Sequence, residues 1–129
     1  MERSLGDDYK TQGYFYTPTG FTCSTIMSKN DACNYPAQGS AFHCLLWSLI
    51  QTDKVMIKEK WDTKIIGQIH DSMILDVNPK ELSHVWKTVH KITCEDLPKF
   101  WKWIIVPLEV DAEVCEVDKS WNTKTKYKE

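Results

Sequence analysis

Residues 64–77 restrict the fold more than any other part of this sequence. Two runs of β-branched and apolar residues, KIIGQI and SMILDV, flank the dipeptide His70-Asp71. Such runs around a short polar turn predict a β-hairpin with His70 and Asp71 at its tip. On the second run Met73, Leu75 and Val77 share one face. Both faces are half apolar, so we expect the hairpin to lie within a sheet that is covered on one side.

Two elements are predicted before this hairpin. Residues 13–22 contain two short β-rich runs around a Pro/Gly turn, which predicts a first hairpin. Apolar residues then recur at i, i+3, i+4 and i+7, a spacing typical of an amphipathic helix, and Pro36 suits the first turn of that helix. We expect this helix to run from about Asn34 to Gln51, followed by a charged connection over residues 52–62.

Two more elements are predicted after the hairpin. Asn78 and Pro79, with Glu81 three residues after Asn78, form a helix-start pattern with a capping-box partner. An apolar stripe follows at helical spacing and should pack on the sheet. Residues 104–114 have the composition of a strand, with Pro107 at an edge or at the strand start.

The predicted order is therefore hairpin, helix, hairpin, helix, strand. This order is typical of an α+β fold, an antiparallel sheet with packed helices. We divide the chain into a polar lead-in (residues 1–12), one folded unit (residues 13–121) and a charged tail (residues 122–129).

Composition excludes some classes of function and favours none. The chain has 129 residues, which is one domain's length, and no apolar run approaches the roughly 20 residues of a membrane span. With no secretory signal, we expect a cytoplasmic protein without a membrane partner. The net charge of −2 is not that of a nucleic-acid-binding domain. Lysines do cluster locally, at Lys54, Lys58, Lys60 and Lys64 and again in the tail.

The five cysteines are widely spaced and contain no C-x-x-C pair, so we interpret them as buried thiols. His90 and Cys94 are the nearest approach to a metal-ligand pair. Because no second pair accompanies them, we assign no zinc site.

Asp71 has two interpretations on local pattern alone. Aspartate is a favoured turn residue, so His70-Asp71 can be simply a polar turn. Alternatively, Asp71 is a ligand for Mg²⁺, which prefers hard oxygen atoms and often uses one or two protein carboxylates together with substrate phosphates. Local pattern favours the polar turn.

A resemblance across four separated segments favours the metal ligand. In order and spacing these segments resemble the C-terminal palm region of family A DNA polymerases, typified by bacterial DNA polymerase I. The family has the motifs Gly-Tyr-x-x-Thr-x-x-Gly, Asn-x-Pro-x-Gln-Gly-Thr-Ala, Gln-Val-His-Asp-Glu, and a closing Val-Pro-Leu strand with a terminal Trp. This sequence has GYFYTPTG from residue 13, NYPAQGSA from residue 34, QIHD from residue 68, and VPLEV from residue 106 with Trp121.

The resemblance implies a role for each matching residue. Asp71 matches the family's second metal-binding aspartate, which with an aspartate of the first motif holds two Mg²⁺ ions about 4 Å apart for attack of the primer 3′-hydroxyl on a dNTP. His70 matches a residue near the primer terminus. Asn34 and Gln38 match positions that contact the minor groove of the primer-template, where acceptor atoms are common to all base pairs. Gln68 belongs to the same motif as His70, and we expect it to contact nucleic acid.

The sequence also departs from the family pattern. Ser72 stands where the family usually has glutamate, so we expect a weakened or differently tuned site. Asn30 stands about where an arginine often faces the DNA. Asp7-Asp8-Tyr9 is not a substitute for the first motif, because its flanks are polar and no triphosphate-binding helix fits between it and the first hairpin.

Three hypotheses follow. The first is that the chain is the C-terminal palm part of a split DNA polymerase. It would be active only with one or more other chains that supply the fingers, the thumb and the first-motif aspartate. Split replication genes suggest a bacteriophage, and hence the host cytoplasm as the location. The second is a non-catalytic remnant that serves assembly or duplex binding, as Ser72 suggests. The third, with little support, is an unrelated metal-dependent hydrolase that uses Asp71 with Glu109 or Asp111. Some of the six tryptophans are expected to face a partner.

Overall fold

A computed structural model describes residues 13–128 of the chain. The predicted lead-in and the Asp7-Asp8-Tyr9 segment lie outside this range. Within it, three two-stranded antiparallel sheets alternate with helices, which confirms the predicted α+β class. The strands are β1 (Phe15–Tyr16), β2 (Thr22–Cys23), β3 (Lys64–Ile69), β4 (Ser72–Asp76), β5 (Glu113–Val114) and β6 (Thr125–Lys126), and the helices are α1 (Lys29–Glu59), α2 (Leu82–Lys91) and α3 (Leu97–Phe100).

The first hairpin, β1–β2, is confirmed, and its motif residues close the turn. Gly13 and Gly20 have φ angles of 76° and 90°, which glycine adopts without steric cost. Buried Thr17 accepts a hydrogen bond from the Phe21 amide on its hydroxyl oxygen at 3.0 Å. Thr19 then bonds to Nδ1 of His43 at 2.6 Å, which joins the hairpin to α1.

Helix α1 is much longer than predicted at both ends. It begins after Ser28, whose hydroxyl accepts from the Asp31 amide at 3.2 Å while the Asp31 carboxylate accepts from the Ser28 amide, a complete capping box. Pro36 lies inside the helix instead of in its first turn. The predicted start at Asn34 is therefore wrong, as is the predicted connection over residues 52–62, most of which is helix.

The second hairpin, β3–β4, is confirmed with His70 and Asp71 between its strands. It is paired with no other strand among the described residues, so the expectation that it lies within a larger sheet is wrong. One side is covered as expected. At the base of the hairpin, Ile65 and Leu75 pack against a core cluster of Met56, Trp61 and Val85.

Helix α2 begins at Leu82, and the predicted capping box at its start is wrong. Glu81 does not fold back on Asn78. Its carboxylate accepts hydrogen bonds from the amides of Asp62 and Thr63 at 3.0 Å each and from the Thr63 hydroxyl at 2.6 Å. Thr63 is fully buried, so Glu81 attaches the start of α2 to the segment that enters β3. The apolar stripe of α2 does pack as predicted, with Val85 in the core.

Helix α2 continues through a π-helical turn, Ile92–Asp96, into α3. Residues 104–112 form no strand, so that prediction is wrong for all but Glu113–Val114. Burial nevertheless alternates from Leu108 to Val114, with even positions partly buried. The segment packs by one face although it lacks a neighbouring strand to pair with.

The C-terminal residues are not a free tail in the described part of the chain. Strand β6 pairs with β5, and the Tyr127 amide donates to the Ala112 carbonyl at 2.8 Å. The Tyr127 ring packs edge-on against Trp86 at 6.2 Å between centroids.

One further prediction is corrected, and the tryptophans divide between core and surface. The cysteines are not buried: Cys33 is exposed, and the other four are partly exposed. Of the tryptophans, Trp61 is buried in the core, whereas Trp103 and Trp121 are exposed. Among residues 13–128 no helix is long and apolar enough to cross a membrane.

Candidate functional site

The tip of the β3–β4 hairpin is a two-residue turn. His70 has a φ of 50°, in the left-handed region that few residues other than glycine occupy. The Gln68 side chain stabilises this conformation, because its amide nitrogen donates to the His70 carbonyl at 2.5 Å. A short turn between paired strands holds Asp71 in a defined position at the end of the hairpin.

The Asp71 carboxylate is exposed and forms no ion pair within the described residues. Among residues 13–128 it accepts one weak hydrogen bond, from the Ser72 hydroxyl, which lies 3.5 Å from Oδ1. A free carboxylate on a fixed turn suits a hard cation such as Mg²⁺. Within residues 13–128, however, no three acidic, histidine or cysteine side chains are grouped closely enough to hold a metal ion. Further ligands for a metal ion at Asp71 would have to come from outside these residues.

A β-bulge sets the direction of Gln68. The pairing shifts register between Ile65 and Gly67, so Ile66 is an extra residue in β3. As a result Ile65 pairs with Leu75 and Gln68 with Met73, and all four share one face of the hairpin. Without the bulge, Gln68 would lie on the opposite face. Gly67 is the one local sign of this bulge in the residues of β3.

Asn34 and Gln38 lie on a different element from Asp71. Both are on α1, one turn apart, and both side chains are exposed. Asn34 lies inside α1 and does not cap it, because Ser28 is the N-cap residue. The structure brings His70, Asp71 and Gln68 together at the hairpin tip, and Asn34 and Gln38 form a second pair. No hydrogen bond or ion pair joins the two sets in the described part of the chain.

The carboxylates of the hydrolase hypothesis are not assembled around Asp71. Asp111 forms an ion pair with Lys126 at 2.8 Å. Neither Asp111 nor Glu109 belongs to a group of metal-ligating side chains in residues 13–128. The geometry therefore gives that hypothesis no support.

One polar cluster that the sequence did not reveal joins the first hairpin to α1. His43 bonds to Thr19 and stacks on the Phe21 ring, with centroids 3.8 Å apart. Burial lowers the pKa of His43 below its usual 6.5, which favours the neutral ring. Because the Gly-Tyr-x-x-Thr-x-x-Gly motif includes Thr17 but not Thr19 or His43, the motif alone could not predict this contact.

Comparison with known proteins decides the family. The sequence matches the family "DNA polymerase family A" over residues 22–123, which include α1, both strands of the second hairpin and α2. The chain belongs to the family A DNA polymerases.

Relatives in this family are bacterial enzymes named DNA polymerase I. The chain is 34% identical over 94 residues to that of Lactococcus lactis subsp. lactis (strain IL1403), covering 73% of this chain and 10% of the relative. It is 38% identical over 69 residues to that of Streptococcus pneumoniae serotype 4, covering 54% of this chain and 8% of the relative. The chain thus spans about a tenth of the length of these family A polymerases.

A solved structure shows the same fold. It is described as the POL domain of Pol1 from M. smegmatis in complex with DNA primer-template and dNTP. The TM-score is 0.63 at 21% sequence identity, and the match covers 70% of this chain and 18% of that one. This likeness supports the polymerase fold of the chain.

Proposed function

We propose that this chain is the C-terminal palm part of a DNA-directed DNA polymerase and that Asp71 is one of its Mg²⁺ ligands. The observation that carries the proposal is the exposed carboxylate of Asp71, which has no ion pair among residues 13–128, at the tip of a fixed hairpin within the segment that matches the family. When bound, the metal ions would lower the pKa of the primer 3′-hydroxyl and stabilise charge on the phosphates of the dNTP.

The chain's own residues would hold and orient the substrates. Asp71 supplies a carboxylate oxygen at a position fixed by the turn. His70, beside it and exposed, would contact the primer terminus. Gln68 already donates one N–H to the His70 carbonyl, so its remaining amide atoms are available to DNA. On α1, Asn34 and Gln38 would donate to minor-groove acceptors, which lie at similar positions in all base pairs.

The proposal includes a partner. Because residues 13–128 assemble no complete metal site around Asp71, a second carboxylate would come from another polypeptide that carries the first-motif aspartate, the fingers and the thumb. In this proposal the chain is one part of a split polymerase encoded by a bacteriophage, and it supplies the segment that matches the family.

Primer extension by the reconstituted complex tests the role of Asp71. We expect Asp71→Asn to lower the extension rate by about 100-fold or more, since a metal ligand supports several kcal/mol of transition-state stabilisation. Asp76→Asn is the matched control, because Asp76 is an exposed aspartate at the other end of β4. Full activity of Asp71→Asn would exclude a catalytic role, and activity of the isolated chain would exclude the need for a partner.

A non-catalytic role is the second candidate, and Ser72 is the observation that favours it. Serine cannot replace the carboxylate that the family usually has beside the metal-binding aspartate. If the chain serves assembly or duplex binding alone, Asp71→Asn should leave binding of a primer-template duplex unchanged while no reconstituted complex extends the primer. Asn34→Ala and Gln38→Ala should weaken duplex binding under either proposal.

A further inference from the structure

Four aromatic side chains form a continuous surface where α3 ends beside α1. The rings of Trp47 and Phe100 are stacked with centroids 5.2 Å apart, and Trp101 lies 6.4 Å from Trp47. Trp103 extends the series at 6.2 Å from Trp101. Phe100 is 60% exposed and Trp103 is 42% exposed, so these rings present apolar surface to solvent.

A row of polar side chains on α1 continues from Trp47. Gln51, Lys54 and Lys58 follow it at i+4, i+7 and i+11, which places all four on one stripe of the helix. They line a groove of about 240 Å³ that extends along α1 towards its C-terminal end. Neither lysine forms an ion pair with another described residue, so both ammonium groups are available to a ligand.

The nearby acidic groups have their closest partners elsewhere, although the charge of Glu59 also interacts with that of Lys58. Asp96 lines the groove, but it is paired with Lys91 at 2.8 Å and with Lys99 at 3.6 Å. The Glu59 carboxylate accepts from the Trp61 indole at 2.8 Å and contacts the His84 ring at 2.7 Å. The surface therefore combines open aromatic rings with unpaired positive charge.

We propose that this surface binds single-stranded nucleic acid. It comprises Trp47, Phe100, Trp101, Trp103, Lys54 and Lys58, and we call it the Trp47 surface. Bases would stack on the exposed rings while phosphates contact the two lysines, the combination by which proteins bind single strands without sequence preference. Trp47 and Lys58 are separated by roughly 17 Å along α1, which accommodates a few nucleotides.

This inference goes beyond the proposed function. The Trp47 surface includes neither the hairpin tip nor Asn34 and Gln38, and it needs no metal ion. Two other occupants fit less well. Lysine is depleted at the cores of protein interfaces, and duplex DNA keeps its bases stacked inside, so it offers no base faces to the rings.

Binding of a labelled oligo-dT by the full chain tests the proposal. An oligonucleotide of about 12 nucleotides lies within the site sizes of such surfaces. Fluorescence anisotropy at about 50 mM salt and above gives both the affinity and its salt dependence. We expect wild type to bind the oligonucleotide more tightly than a duplex of the same length, with quenching of tryptophan emission.

The double variant Lys54→Gln/Lys58→Gln should bind about fivefold or more weakly, because two phosphate contacts are lost. The slope of log affinity against log salt should fall by about 1.4, since each contact on a single strand contributes about 0.7. The control Lys119→Gln/Lys128→Gln removes the same charge from the C-terminal region and should retain the wild-type slope and affinity. The lysine variants alter only exposed side chains, so they decide the question even where an aromatic variant fails to fold.

The double variant Phe100→Ala/Trp103→Ala should also bind about fivefold or more weakly, with less quenching, because stacking on exposed rings is lost. Several outcomes would overturn the proposal: no binding by wild type at low salt, tighter binding of the duplex, or an equal loss in the lysine control. If the aromatic variant fails to bind a partner polypeptide but keeps wild-type affinity for oligo-dT, the Trp47 surface is a protein interface. None of these measurements depends on primer extension, so failure here leaves the role of Asp71 unaffected.

Discussion

Ser72 is the residue at which the proposed metal site departs most from the family pattern. Its hydroxyl lies 3.5 Å from the Asp71 carboxylate, so a longer acidic side chain at this position would lie beside the same turn. Two neighbouring carboxylates attract a divalent cation more strongly than one, because the charge of the ligands adds to the affinity. We therefore expect Ser72 to weaken metal binding but not to abolish it.

Ser72→Glu tests this interpretation. We expect the variant to preserve primer extension and to lower the Mg²⁺ concentration at which the rate is half-maximal. Ser72→Ala is the control, since it removes the hydroxyl and adds no charge, and its Mg²⁺ requirement should stay close to that of wild type. Loss of extension in Ser72→Glu would instead show that the site has been rebuilt around the serine.

At the scale of elements, the contact between Glu81 and Thr63 fixes how the second hairpin joins α2. The hydrogen bond from the Thr63 hydroxyl, followed by that from the Asp62 amide, holds the pKa of Glu81 below its usual 4.5. Because this pKa is lower in the folded chain than in the unfolded chain, the ionised carboxylate contributes its full stabilisation of the fold above pH 4.5. That stability declines as the pH falls further and the carboxylate is protonated.

Glu81→Gln should therefore lower the melting temperature at pH 7. The amide keeps the shape of the side chain but loses charge-assisted hydrogen bonds to three donors. The difference in melting temperature between the variant and wild type should become smaller as the pH falls below 4.5. Thermal melts at a series of pH values measure this difference. Glu116→Gln removes one charge from an exposed position near the C-terminus and should melt as wild type does at every pH.

We predict a second pH dependence, from His43, at higher pH than that of Glu81. Because burial lowers its pKa, the unfolded chain takes up the proton first as the pH falls through 6.5. The docking of the first hairpin on α1 should therefore weaken below pH 6.5. In wild type, the protection factor of the Phe21 amide, which is the ratio of the intrinsic to the observed hydrogen-exchange rate, should fall as the pH is lowered from 7.5 to 5.5.

His43→Asn should remove this acid sensitivity, because the amide can still bond to Thr19 and does not titrate. His70→Asn is the matched control, since asparagine tolerates the positive φ of the turn and His70 lies on the other hairpin. The control should keep the acid sensitivity of wild type. Equal acid sensitivity in His43→Asn would assign the effect to another group.

Some elements of the fold could be predicted from local sequence and others could not. Both hairpins were predictable, because alternating apolar runs around short polar turns are local signals. The ends of α1 were not, since the Ser28 and Asp31 capping box precedes the apolar stripe and Pro36 suggested a first turn. The contact between Glu81 and Thr63 could not be predicted either. The residues around Glu81 suit a capping box, and nothing in them points to Thr63, which lies 18 residues away. Residues 104–112 alternate as a strand would, yet strand formation requires a neighbour that the described residues do not supply.

The same limits apply to the candidate site. The apolar runs on either side predicted His70 and Asp71 at one tip, and the structure places them there. The bulge at Ile66, which sets the direction of Gln68, depends on pairing with β4 and could not be read from β3 alone. The roles of Asn34 and Gln38 stay predictions, because they depend on DNA that would lie between α1 and the hairpin tip.

For the whole molecule, an exposed apolar groove beside α1 is where the proposed partner would bind. A groove of about 390 Å³ lies between the first half of α1 and residues 103–108, and it is lined by apolar side chains with Ile105 and Val106 at one edge. Ile105 is 89% exposed, which is unusual for a large aliphatic side chain next to other exposed apolar residues. The hydroxyl of Ser40, in the same groove, is buried without a hydrogen-bond partner in the described chain. We interpret the part of this groove at Ile105 and Val106 as surface that the proposed partner covers; Trp103, which also lines the groove, belongs to the Trp47 surface.

The partner polypeptide should therefore stabilise the chain through this groove. A partner that binds the folded chain at 100 times its dissociation constant adds about 2.7 kcal/mol to the free energy of unfolding, so the melting temperature should rise on mixing. Ile105→Asp/Val106→Asp should abolish the rise, because two carboxylates would lose water on binding without a counter-charge. Ile57→Asp is the control: Ile57 is also exposed but lies near the other end of α1, and this variant should respond to the partner as wild type does. An undiminished rise in the groove variant would place the partner elsewhere on the chain, and primer extension by that variant would then remain at the wild-type rate.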